Sequence, residues 1–344
     1  MDRRDFFKTS AAAACGLALA GCYGKGEKTA APLLLSGNEA FKARIGRDVD
    51  LPPALAIKEI TIRAGASKPF SVMHVSDTHI ARADSRDDER KTALAASRAR
   101  WMSRGEHYLD EAIRYAREHG MVMMHTGDLY DFVSEANLDC AAEHMLMGDW
   151  FVCAGNHEYS KYVGEAKEDE AYKADSRDAV QGAYPNDLTF ASRIINGVNF
   201  VALDDVYYNV TEAQHARMET EMRKGLPVVM LCHVPLYTPA ICAEELRASN
   251  GECAYVVGAP AEITERFDPG KSYPKGEEWR YRKVQQRADK ATLDFIAWLK
   301  GQTLLKGILC GHMHKFYEDR FSPTAMQYVV GATYQGDVQV VHFR

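Results

Sequence analysis

Several signatures are missing from this 344-residue chain, and each absence removes a class of chemistry. There is no C-x-x-C, so a structural zinc knuckle and thioredoxin-like redox chemistry lose their usual support. No G-x-S-x-G elbow marks a serine hydrolase. The segment "GNHEYSK" does not continue to the second histidine of a zinc-protease H-E-x-x-H. In front of Gly270-Lys271-Ser272, Glu265 stands where a phosphate-cradling loop needs its first glycine. Repeats at solenoid spacing and low-complexity tracts are absent as well. What remains is ordinary globular composition, 46% hydrophobic and 26% charged.

The N-terminus reads as an address, not as fold. "DRRDFFKTS" carries Arg3 and Arg4 ahead of Phe6, Phe7 and Lys8, similar to a twin-arginine export signal. Ala11–Ala20 is apolar but too short to span a bilayer, as in a signal-peptide core. It ends in "LAGC", which resembles a lipoprotein cleavage box with Cys22 as the lipidated first residue. The expectation is a signal peptide over 1–21, a tether over 22–54 and one domain over 55–344. The domain would lie in the periplasm or at the cell surface, touching membrane only through the lipid on Cys22. Losing residues 1–21 removes three basic and two acidic residues and leaves 39 against 46, a net charge of −7. Such an acidic domain is a poor binder of nucleic-acid phosphates, so a small-molecule partner is expected. The oligomeric state is not legible.

Apolar runs separated by helical patterns predict an α/β fold with buried sheets. "LAIKEITIRAG" alternates as a strand, and Leu109, Ala112, Ile113 and Ala116 share one helical face that Gly120 stops. "KATLDFIAWLKG" reads as a helix, and the C-terminal "AMQYVVGATYQGDVQVVHFR" as a hairpin or meander. Residues 81–105 and 238–285 read as long loops, with Arg82, Arg86, Arg280 and Arg282 as possible phosphate holders and Tyr255, Trp279 and Tyr281 as possible stacking surfaces. Six cysteines remain beyond the leader, and Cys242 and Cys253 flank a polar stretch where pairing after export stays open.

Nearly every mid-chain apolar strand ends in a polar residue, and in open α/β sheets ligands sit beyond such strand ends. "SDTH" offers Asp77 and His79, "TGDLYD" offers Asp128 and Asp131, and "AGNHE" offers Asn156, His157 and Glu158. "CHVP" adds His233, and "CGHMH" adds His312 and His314. Carboxylates, an amide and imidazoles together suit Mn, Fe or Zn better than calcium. The set is too large for one ion.

In this order the motifs resemble those of the calcineurin-like metallophosphoesterase superfamily: D-x-H, G-D-x-x-D, G-N-H-D/E, H and G-H-x-H, spread from Asp77 to His314. The resemblance implies a four-layer α/β/β/α sandwich of two mixed β-sheets flanked by helices, with two divalent ions at the strand C-terminal ends. Asp77, His79 and His314 would hold one ion, Asn156, His233 and His312 the other, and Asp128 would bridge them. Gly311 would let backbone approach this crowded centre without a side chain. A hydroxide between the ions would attack phosphorus in line. His157 would act as general acid, oriented by Asp131, with Glu158 a weaker candidate. Phe132 and Ala154 replace the arginines of the protein serine/threonine phosphatases, and Asp131 stands where purple acid phosphatases place a tyrosine. The implied reaction is hydrolysis of a small phosphodiester or phosphomonoester, diester slightly favoured. The alternative is a binding protein that keeps the fold without turnover.

Overall fold

Strand-forming runs rich in Val, Ile, Met and Phe build two sheets, with helices filling the intervals between them. The computed structural model describes residues 54–163, 165, 168–268 and 281–344, apart from the Arg282 side chain. The expected signal peptide and tether, with Cys22, therefore lie outside the described residues, as do Trp279 and Arg280.

The first sheet has five strands in the order β1 (Ala56–Ile62), β11 (Asp337–Phe343), β2 (Phe70–Val75), β3 (Val122–Thr126) and β4 (Trp150–Cys153). Its β2, β3 and β4 run parallel, and β11 pairs antiparallel to β2 but parallel to β1. The second sheet orders β5 (Phe190–Ile195), β6 (Val198–Leu203), β7 (Val228–Leu231), β8 (Leu305–Cys310), β10 (Met326–Val329) and β9 (Tyr317–Arg320). Its centre is parallel and both edges are antiparallel.

The sheets pack face to face. Ile62, Val72, Met124 and Phe343 of the first meet Phe200, Val229, Leu231 and Leu309 of the second in one buried layer. Helices cover the outer faces: α1 (Glu89–Met102), α2 (Gly105–Glu118), α3 (Glu135–Met145), α4 (Glu170–Ala174), α5 (Arg177–Gln181), α6 (Glu212–Met222), α7 (Pro239–Ala248), α8 (Ala261–Thr264), α9 (Tyr281–Gln285) and α10 (Lys290–Lys300). The expected α/β/β/α sandwich of two mixed sheets is thus the observed architecture.

Three local expectations are corrected. Residues 81–105 are not a structureless loop: Asp88 caps α1 by accepting from the Lys91 N–H at 2.8 Å. The 238–285 stretch likewise holds α7, capped by Thr238 with Pro239 in its first turn, and two shorter helices. The C-terminal run is not a hairpin, because β10 joins the second sheet and β11 the first. A single helical turn at Thr333–Gln335 carries the chain between them, closed by Gly336 at φ +93. Cys242 and Cys253 are both buried and are not joined in a disulfide.

Candidate metal centre

Parallel strands β2, β3, β4, β7 and β8 all stop at the same edge of the sandwich, and their polar successors converge there. Asp77 and His79 follow β2, Asp128 and Asp131 follow β3, Asn156 and His157 follow β4, His233 follows β7, and His312 and His314 follow β8. Backbone at this edge is unusual. Asp77, His79, Asp128, His312 and His314 all adopt the left-handed region, at φ between 51 and 70. Each such residue costs about 1–2 kcal/mol relative to ordinary backbone. Strain concentrated on the side chains of interest is a mark of a functional site.

Two groups of donors form. Asp77 Oδ1 lies 3.2 Å from His314 Nε2 and 3.8 Å from His79 Nε2, and the two ring nitrogens face each other at 3.1 Å. Asp128 Oδ2 lies 3.2 Å from His233 Nε2, which faces His312 Nδ1 at 3.1 Å. The groups Asp77–His79–His314 and Asp128–His233–His312 each hold their donor atoms within 4.8 Å of one another. Asp128 Oδ2 also reaches to 3.8 Å from His79 Nε2, so it stands between the groups. Asn156 lines the same cleft, its Oδ1 buried with no hydrogen-bond partner.

These residues fit a pair of divalent ions. Paired ring nitrogens aimed head to head, beside carboxylates and an unpartnered amide oxygen, are lone pairs converging on common points. The tautomers agree. His79 Nδ1 donates to Asp131 Oδ1 at 2.9 Å and His233 Nδ1 donates to the Thr126 carbonyl at 2.7 Å, which turns both Nε2 lone pairs inward. The electrostatics agree too. Burial would raise the Asp77 carboxyl, but His314, with His79 and His233, holds it well below the usual range. Burial would lower His233, yet Asp128 and Asp77 push it up to about 10. His312 falls to about 3, through burial and then the charge on His233. The cavity calls for positive charge.

Asp131 differs from expectation. Its carboxylate is taken by His79 and by Arg98 of α1, whose Nε lies 2.5 Å from Oδ2. His157 Nδ1 donates instead to the Asp131 backbone carbonyl at 2.6 Å, with the carboxylate 3.4 Å away. The Asp131 side chain therefore orients His79, and its main chain orients His157. Glu158 is structural: buried, it accepts N–H bonds from Asp128, Leu129 and Gly155 at 2.6–2.8 Å. Gly311 behaves as expected, since a Cβ there would overlap the Ser76 and Asp77 side chains. Arg82 and Arg86 are engaged in ion pairs with Glu106 at 2.5 Å and with Asp84 and Asp139 at 2.5 and 2.7 Å.

Residues that sequence reasoning missed include Arg98, Tyr208, Glu168, Glu245 and Asp205. Asp205 accepts the His233 and Val234 N–H groups at 3.1 and 3.2 Å. The strand-end regularity applied to "VNFVALDD" finds it, whereas no local signal marks the other four. Of these, Tyr208, Glu168 and Glu245 border a cleft of about 310 Å³ that Tyr255, His157 and several of the ligand residues also line.

A two-sheet sandwich with paired acid and imidazole clusters at its strand ends could hold a dinuclear metal site. The family model of the calcineurin-like phosphoesterases matches residues 70–316, and the chain belongs to that family. It is a metal-dependent phosphoester hydrolase. Comparison with curated protein sequences finds no match. Among solved structures, a dimetal phosphatase from Danio rerio is similar at 12% identity and TM-score 0.42, covering 77% of this chain and 88% of that one. A phosphopantetheinyl hydrolase from Mycobacterium tuberculosis is similar at 10% identity and TM-score 0.36, covering 77% and 90%. A 5′-nucleotidase from Candida albicans is similar at 11% identity and TM-score 0.34; the match covers 80% of this chain but only 48% of that one. These likenesses are remote, and the family assignment rests on the matched segment.

Proposed function

We propose that this enzyme hydrolyses small phosphodiesters in preference to phosphomonoesters. One observation carries the preference: among the described residues lining the cleft none is lysine or arginine, while Glu168 and Glu245 are both present. A monoester dianion brings an extra charge that finds no cationic side chain in this lining, whereas a diester carries a single charge and two organic arms. Tyr208 and Tyr255, with ring centroids 6.2 Å apart, offer apolar surface to one arm.

Within this reading Asp77, His79 and His314 would hold one ion and Asn156, His233 and His312 the other, with Asp128 as the shared ligand. Divalent ions bound there supply Lewis-acid charge and a nucleophile at neutral pH. The protein supplies orientation. The His157 N–H donates to Asp128 Oδ1 at 2.8 Å and fixes that carboxylate. With Nδ1 committed to a carbonyl, His157 presents Nε2 to the cleft, where its protonated form hands a proton to the departing alkoxide. Mn, Fe or Zn would satisfy the donor set, and elemental analysis of the purified chain distinguishes them. The Arg3-Arg4 leader and the "LAGC" box support an exported enzyme tethered through lipid on Cys22.

The test compares a bis-aryl phosphate with the matching mono-aryl ester, in manganese and in chelator. Faster diester turnover, abolished by chelator, is expected. A higher kcat/KM for the monoester overturns the preference.

A further inference from the structure

Outside the cleft, two helices on the outer face of the first sheet present donors to each other at i, i+4 spacing. Helix α2 offers Glu106 and Asp110, and α3 offers Cys140 and His144. One turn of helix places such pairs on the same face. Glu106, Cys140 and His144 each bring one donor atom within 4.8 Å of the other two. His144 Nε2 lies 3.3 Å from Asp110 Oδ1 and 3.8 Å from Glu106 Oε1.

The imidazole is already set. Its Nδ1 lies 2.8 Å from the Cys140 carbonyl oxygen, one turn back, and 3.5 Å from Cys140 Sγ, so Nδ1 carries a hydrogen. Nε2 is the atom that faces the carboxylates, its proton shared with Asp110 until an ion displaces it. A metal-ligating histidine is held in the same way, by a second hydrogen bond from its other nitrogen. Cys140 and His144 are buried to 1% or less, while Glu106, whose Oε2 pairs with Arg82 at 2.5 Å, turns Oε1 towards His144 and keeps an edge to solvent.

We propose that Glu106, Cys140 and His144, with Asp110 beside them, form a third, structural metal site that takes zinc or a similar borderline transition ion. A thiolate and an imidazole select against calcium and magnesium, and three side-chain donors leave one position of a tetrahedral centre, on the side of Asp110. Binding displaces the proton of the Cys140 thiol, and any proton on His144 Nε2, into solvent. The ion would clamp α2 to α3 and so brace two loops of the catalytic centre. The first residue of α2, Gly105, packs so closely on the Thr78 carbonyl that a Cβ there would overlap it, and Thr78 separates Asp77 from His79. The N-cap of α3, Ser134, bonds to the Arg82 carbonyl at 2.6 Å, three residues beyond Asp131.

The test uses the full chain loaded with zinc, dialysed against metal-free buffer and analysed for metal. Wild type should retain one zinc per chain more than His144→Gln, with both proteins folded by circular dichroism. A second measurement stands if that variant fails to fold. None of the candidate ligands in the cleft is a cysteine, so a thiolate-to-cobalt charge-transfer band in the cobalt-loaded chain reports this site. The band should be present in wild type and absent in Cys140→Ser. Equal zinc in wild type and the folded His144→Gln, no band in wild type, or a band that survives Cys140→Ser overturns the site.

Discussion

The two sheets supply the cleft unequally. Every oxygen donor (Asp77, Asp128, Asn156) follows a strand of the first sheet, with His79 and His157, whereas the second sheet contributes only the imidazoles His233, His312 and His314. Fastening differs as well. First-sheet loops are tied to one another: the Asp77 N–H donates to the Gly127 carbonyl and the His79 N–H to the Asp128 carbonyl, each at 3.0 Å. Second-sheet groups are also tied to one another, the Gly311 N–H to the His233 carbonyl at 3.0 Å and the His233 N–H to Asp205 at 3.1 Å. The His233 ring and the His312 N–H, however, are fixed across the seam, His233 Nδ1 to the Thr126 carbonyl at 2.7 Å and the His312 N–H to Asp77 Oδ2 at 2.9 Å. The first sheet is thus a self-supporting frame of oxygen ligands, and the second docks its rings onto that frame.

The severest way to break this asymmetry is Asp128→Asn, which alters the side chain that meets both donor groups. Loss of several kcal/mol of Lewis-acid stabilisation predicts a fall in kcat/KM on the order of a thousandfold or more. Elemental analysis should show both ions depleted. Retention of one full equivalent would mean that Asp128 serves a single ion.

Next comes His157→Ala, which removes a proton donor and no proposed ligand. The expected loss in kcat is about a hundredfold, near the lower end of general acid catalysis, with metal content unchanged. The loss should be larger for an alkyl than for an aryl leaving group, because the poorer leaving group needs the proton more. Equal losses on both substrates would remove the acid role.

A smaller effect separates the supports behind the two sheets' histidines. Asp131→Asn and Arg98→Ala both weaken the hold on His79 Nδ1, with an expected cost of about 10–100-fold in metal affinity. Asp205→Asn keeps an acceptor for the His233 and Val234 N–H groups and should cost less. Titration with manganese, followed by activity, ranks them; a larger loss for Asp205→Asn would reverse the frame-and-dock order.

What was legible in the sequence follows the same division. Ligands announce themselves because each sits two to four residues past an apolar strand, so strand periodicity and residue chemistry point to one place. Arg98 carries no such signal, since it reaches Asp131 from a helix that hid within an apparently polar stretch. The Asp131 side chain was read as serving His157 because proximity in a motif does not say whether backbone or carboxylate does the bonding. The C-terminal strands looked like a hairpin because alternation reports a strand and not its partner sheet, and only the turn at Thr333–Gln335 sends β11 away. Glu168 and Glu245 border the cleft from segments with no local pattern, so the charge of the substrate rim was out of reach.

The mildest effect is one of stability, and it too separates the sheets. Among the strands, only those of the first sheet contain histidine, and His74 and His125 there are fully buried. His74 sits between β11 and β3, its Nδ1 3.2 Å from Gln339 Oε1 and its Nε2 2.9 Å from Thr126 Oγ1. Burial lowers its pKa to about 4, against an ordinary value of 6.5, and only partly does Gln339 oppose that. Between these values the unfolded chain binds the proton that the folded chain refuses, so stability rises with pH there. The contribution is complete above pH 6.5 and is lost as the pH falls towards about 4, at most roughly 3 kcal/mol. Denaturant melts of the metal-free chain at pH 7 and pH 5 should show this slope, and His74→Gln should flatten it. Amide exchange on acidification should quicken first in β2, β3 and β11, while β6, β7 and β8 stay protected. Simultaneous loss of protection in both sheets would show that the seam locks them into one unit, and the frame could not then be loosened apart from the part that docks on it.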